Sequence, residues 1–155
     1  MCIRARLRHS DGDVVIHAVC DAILGALARG DIGVLYPDTS AETEGMNPLA
    51  MTKGLLETVV PDYELVNIDF NSICENPRLS GYRQDMVVSV AGAAGIDPSA
   101  VSVKFRTHEG LGEIGAGDAI AAQAVVLVKK RQSSLGSVIG VGVDFIACPR
   151  LTRHG

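Results

Sequence analysis

Arg4, Arg6 and Arg8 alternate with Ile3, Ala5 and Leu7, so a strand through residues 3–8 would carry three guanidinium groups on one face. That face is either a phosphate-binding strip or a solvated strand face whose charge discourages edge pairing, and the second reading is preferred. Asp13, His17 and Asp21 recur every four residues, which on a helix makes one polar stripe. The positions around them, Val14, Ile16, Val19, Ile23, Leu24 and Leu27, are apolar, so the stripe needs a partner to offset the loss of water. A hydrogen-bonded helix histidine is the plain reading of His17.

These groups need elements to position them. Asp13 predicts the cap of a helix that ends where Gly30 supplies a left-handed residue. After the turn residues Tyr36-Pro37-Asp38-Thr39, the spacing of Leu49, Leu55, Leu56 and Val59 predicts a second helix over 46–60. Residues 65–73 alternate Val66, Ile68 and Phe70 with Asn67, Asp69 and Asn71, as in a strand with one buried face. A helix over 83–94, stopped by Gly95 and Pro98, follows. Strand, glycine-rich loop and strand are expected over 101–128, then a linker at 131–137 and a last strand from Val138. Without a strict β-α-β-α rhythm, the expected fold is α+β: a mixed sheet of four or more strands with helices on one face, in one domain over residues 1–155. The polar Asp69 face then asks for further company, which a symmetric oligomer would provide.

With 47% hydrophobic and 21% charged residues, the chain has enough apolar material for one core. A net charge of −4 gives no general reason to expect nucleic acid. No apolar run approaches a membrane span, and four scattered cysteines without a C-x-x-C pair read as reduced thiols. A soluble, cytoplasmic protein is expected.

The string from His9 through Ala18 (His-Ser-Asp-Gly-Asp-Val-Val-Ile-His-Ala), then Asp21-Ala22-Ile23-Leu24-Gly25-Ala26 and Gly30-Asp31-Ile32-Gly33, resembles the signature of the 2-C-methyl-D-erythritol 2,4-cyclodiphosphate synthase family. Tyr36-Pro37-Asp38-Thr39, Asn67-Ile68-Asp69, Pro77-Arg78-Leu79 and the stretch from Thr107 to Gly112 join it in family order. The family normally opens with an Ile-Gly-x-Gly-x-Asp-x-His strand. Here that pattern stands near the other terminus as Ile139-Gly140-Val141-Gly142-Val143-Asp144-Phe145-Ile146. The resemblance therefore implies a circularly permuted, trimer-forming family fold, with the metal-binding strand relocated to 138–146.

What the resemblance implies chemically is a phosphorus–oxygen lyase of isoprenoid biosynthesis, acting in the methylerythritol phosphate pathway. The 2-phosphate of a CDP-linked methylerythritol phosphate attacks the β-phosphorus, closing a cyclic diphosphate and expelling CMP. Positioning and metals should supply most of such catalysis. Carried over residue by residue, His17 and Asp144 fall on zinc-ligand positions and Glu109 on the magnesium-ligand position. Thr107 falls on the threonine that orients the diphosphate. Pro77, Arg78 and Leu79 match the cytidine loop. His9, Ser10, Asp31, Gly33 and Asp38 match the sugar-alcohol pocket, with His9 and Asp31 carried as catalytic. Asp21 is placed to orient His17.

The departures are specific. Ile146 stands where a zinc-ligating histidine belongs, leaving His9 or His154 as other donors. Arg106 replaces a threonine, and is either a phosphate contact or a solvated arginine. Glu113 and Ala116 stand where the family has a phenylalanine and an arginine on the trimer axis. Alternatives to the family reaction are a diverged cyclase or CMP-releasing enzyme acting on another CDP-linked substrate, and a non-catalytic small-molecule-binding trimer.

Overall fold

A computed structural model describes residues 3–36, 48–58, 61–131 and 139–149. In chain order the helices are α1 (Ile3–Ala26), α2 (Ile32–Leu35), α3 (Pro48–Thr58), α4 (Arg83–Ala94) and α5 (Gly112–Ala116). The strands are β1 (Tyr63–Ile73), β2 (Val101–Arg106), β3 (Ala119–Lys130) and β4 (Ile139–Pro149). They form one sheet in the order β2-β1-β3-β4. The β1 and β2 strands run parallel, joined through α4, and the other two pairings are antiparallel. This is the expected mixed α+β sheet.

Alternation puts Ile68, Phe70 and Ser72 of β1 on the same buried face as Val101 and Val103 of β2. On β3 the corresponding residues are Ala122, Ala124, Val126 and Val128. Against this face pack Val15, Val19, Ile23 and Leu24 of α1, Leu55 of α3, and Val90, Ala91 and Ala94 of α4, as one hydrophobic core. On the opposite face Asp69 pairs with Lys104, and Asn71 donates to Gln123 at 3.4 Å. Val141 and Val143 stay 61% and 59% exposed there.

Four expectations are corrected. Residues 3–8 are the first turns of α1 rather than a strand. Arginine, alanine and leucine are strong helix formers, and extending an existing helix costs far less than starting one, so the alternation is overridden. Asp13 consequently lies inside α1 rather than at its start. The helix also stops earlier than Gly30: Ala28 takes the left-handed conformation (φ 53°), and the Arg29 N–H donates to the Leu24 carbonyl at 2.9 Å. In the glycine-rich stretch the loop contains α5, one turn ended by Gly117 at φ 86°. A Cβ at Gly115 would fall 2.1 Å from the Gly110 carbonyl carbon, so the two glycines allow this loop to fold onto itself. By contrast Gly95, at φ 68°, ends α4 as expected.

Candidate active site

The ends of β1 and β2 lie side by side because the strands are parallel neighbours, Ile73 opposite Arg106. The segments leaving them are stitched together at once. The Cys74 N–H donates to the Arg106 carbonyl at 3.0 Å. Glu75 Oε2 then accepts from the backbone N–H of His108 at 3.1 Å and from that of Gly110 at 3.5 Å. The buried Cys74 thiol donates to the carbonyls of Asn76 and Pro77, and the Asn76–Pro77 peptide is cis. Leu79 is buried and anchors the loop, while Pro77 and Arg78 are exposed.

On the β2 side, Thr107 Oγ1 donates to Glu109 Oε1 at 2.8 Å. Glu109 has φ 52°, an uncommon conformation for a residue with a side chain. His108 Nδ1 lies 3.2 Å from the Leu111 carbonyl oxygen. Arg106 is exposed. Nearby, the Arg83 guanidinium stacks 5.0 Å over the Phe105 ring and donates to the Val103 carbonyl.

A second group forms after α1. Asp31 is the N-cap of α2, its Oδ1 accepting the Val34 N–H at 3.1 Å. Asp21 Oδ1 accepts the Ile32 N–H at 2.6 Å, tying this turn to α1. A Cβ at Gly33 would sit 3.2 Å from Asp31 Oδ1, so glycine leaves that carboxylate room. Tyr36 donates to the Met51 carbonyl at 3.3 Å.

The third group lies where α1 meets the far edge of the sheet. His17 is half-buried on α1. In β4, Asp144 pairs with Ala124 and Ile146 with Ala122, so both occupy the register of buried core-facing positions. The side chains of His9, Ser10, Asp144 and Ile146 lie outside the described ones, as do Asp38 and His154 entirely. Among the described residues no three His, Cys, Asp or Glu side chains are grouped to hold a metal ion. Thus the loop that leads to Pro77, Arg78 and Leu79 is tied through Cys74 and Glu75 to the segment that carries Thr107 and Glu109, and Asp31 lies beside Gly33. An open groove of about 400 Å³ between α4 and β2, lined by Arg83, Gln84, Pro98 and Ser102 among others, includes none of these motif residues.

Motif reading missed Glu75 altogether, and it gave Asp21 a role toward His17 without the grip on the Ile32 N–H. Both are single carboxylates gripping distant backbone N–H groups, a partnership with no periodic trace in the sequence.

The YgbB family pattern matches residues 3–129. The chain belongs to this family. It is 43% identical over 121 residues to the 2-C-methyl-D-erythritol 2,4-cyclodiphosphate synthase of Acinetobacter baumannii, covering 77% of this chain and 76% of that one. To the synthase of the same name from Clostridium novyi it is 38% identical over 126 residues, covering 81% and 80%. The solved IspF structure from Plasmodium falciparum, a CDP complex, superimposes with a TM-score of 0.67 at 35% identity, covering 80% of this chain and 75% of that one. The family match ends before β4 begins.

Proposed function

We propose that the chain closes a CDP-linked methylerythritol 2-phosphate into 2-C-methyl-D-erythritol 2,4-cyclodiphosphate. An oxygen of the 2-phosphate bonds to the β-phosphorus, the bond from that phosphorus to the bridging oxygen of CMP breaks, and CMP leaves with that oxygen and its electron pair. The observation that carries this reading is the stitched pair of segments at Cys74–Leu79 and Thr107–Glu109, in a chain of the cyclodiphosphate synthase family. One segment presents Arg78, whose planar fork suits phosphate oxygens. The other presents a carboxylate held in orientation by a threonine hydroxyl.

Glu109 would hold a magnesium ion, and carboxylate plus phosphate oxygens is an ordinary donor set for it. The ion, when bound, offsets phosphate charge. Thr107 fixes the Glu109 carboxylate, Arg78 and Arg106 attract the diphosphate, and the Asp31 turn receives the sugar alcohol. Zinc fits less well: His17 and Asp144 make two donors, below the usual three, with isoleucine at the third position. No step is assigned to it.

β4 is proposed to be the family's first strand in permuted position. Its support is the glycine pattern together with its place beside β3 and against α1. The open sheet face with Val141 and Val143 supports a homotrimer, with each site completed between subunits. Among the described residues no helix is long and apolar enough to cross a membrane, and a cytoplasmic location is proposed.

Ile146 and Arg106 favour a second reading, a related cyclase using another CDP conjugate. Supplying the methylerythritol substrate with magnesium, and following CMP release and the phosphorus spectrum, tests both. CMP and a cyclic diphosphate are expected, and Glu109→Ala should abolish the magnesium-dependent rate. No CMP from that substrate sinks the first reading, and CMP from another conjugate alone establishes the second.

A further inference from the structure

Glu109 adopts a backbone conformation that L side chains resist, at φ 52°, and such a residue holds it only when its surroundings impose it. Thr107 grips the Glu109 side chain. The backbone is gripped from another element. The N–H of the residue before Glu109 and the N–H of the residue after it both point at one oxygen, Glu75 Oε2. Bonds from N–H to a carboxylate are stronger than those to a neutral acceptor. The residue before Glu75 is itself held, because the Cys74 N–H is bonded to the Arg106 carbonyl. A single carboxylate therefore straddles Glu109 from the loop that carries Pro77 and Arg78.

We propose that Glu75 is a positioning residue, clamping the backbone on both sides of Glu109 so that its carboxylate is presented to a divalent cation on the substrate diphosphate. This rests on the role given to Glu109 under the proposed function. The clamp also makes the nucleotide loop and the cation-binding turn move as one unit.

Glu75→Ala removes the acceptor, and Glu75→Gln keeps an oxygen without the charge. Two measurements apply: amide hydrogen exchange at His108 and Gly110, and CMP release over a magnesium titration. In Glu75→Ala both amides should exchange at least ~10-fold faster, and half-saturation by magnesium should rise by about 10-fold. Glu75→Gln should recover most of both effects. Unchanged exchange in Glu75→Ala overturns the clamp, as does an equal loss of rate in both variants with the magnesium dependence unmoved. Unfolding of both variants also overturns it, because a clamp at a loop is not needed by the core. If the wild-type chain releases no CMP, the functional reading fails, and exchange at the two amides alone decides the clamp.

Discussion

Gly142 of β4 lies against Ala22 of α1 so closely that a Cβ at position 142 would fall 1.6 Å from the Ala22 carbonyl oxygen and 2.9 Å from the Ala26 nitrogen. The obstacle is helix backbone, which cannot rotate away as a side chain can. Gly142→Ala should therefore force β4 off α1 and destabilise the fold by about 3 kcal/mol or more. For a domain of this size that lowers the melting midpoint by roughly 10 °C. A midpoint within about 2 °C of wild type would show that β4 does not dock as described.

The same contact explains what was legible in the sequence and what was not. The Gly-x-Gly spacing marked β4 as a special strand, and the physical reason is the approach of helix backbone, which a pattern does not reveal. Core alternation in β1, and the Gly95 stop of α4, were readable because each follows from one local rule. At residues 3–8 alternation and helix propensity conflict, and continuation of α1 decides between them. Glu75 was invisible because its partners lie 33 and 35 residues away.

Ala28 carries the left-handed turn that ends α1, at φ 53°, and it is exposed. Glycine adopts this conformation without the clash of a Cβ with the backbone, although its unfolded chain is freer. The first effect is larger at a left-handed position. Ala28→Gly should raise stability by about 0.5–1 kcal/mol in urea unfolding. A loss of stability would mean that Ala28 is not left-handed in solution.

Cys20 is fully buried, and its thiol lies 3.2 Å from the Thr52 hydroxyl. Burial pushes its pKa from 9.0 up to about 11, outweighing the opposing hydrogen bond with Thr52, while the negative charge of Asp21 adds to the rise. A raised pKa means that the folded state keeps the proton more tightly. Its contribution is complete below the unfolded value near 9 and is lost as pH rises through about 11. Unfolding free energy should fall by roughly 2–3 kcal/mol over that window from this thiol. Cys20→Ala should flatten that part of the curve, and an unchanged slope would remove the thiol as its cause. At neutral pH the buried thiol should also react with maleimide far more slowly in the folded than in the unfolded chain.

Ile146 shares a core-facing register with Asp144, two positions along β4, and that strand packs on the helix that carries His17. Two donors hold zinc weakly, whereas three are the usual minimum of a site that keeps a position open for a substrate. Elemental analysis of the purified wild-type chain should accordingly give well under one zinc per chain. Ile146→His supplies the third donor on the same strand face and should raise the content toward about one. Zinc held by three donors should also stabilise the fold, so the variant's melting midpoint should fall when a chelator is added while the wild-type midpoint stays put. Stoichiometric zinc in the wild-type protein would contradict the two-donor account and point to a further ligand elsewhere in the chain. Failure of Ile146→His to gain zinc would instead mean that β4 does not bring residues 144 and 146 into the arrangement that the permuted strand requires.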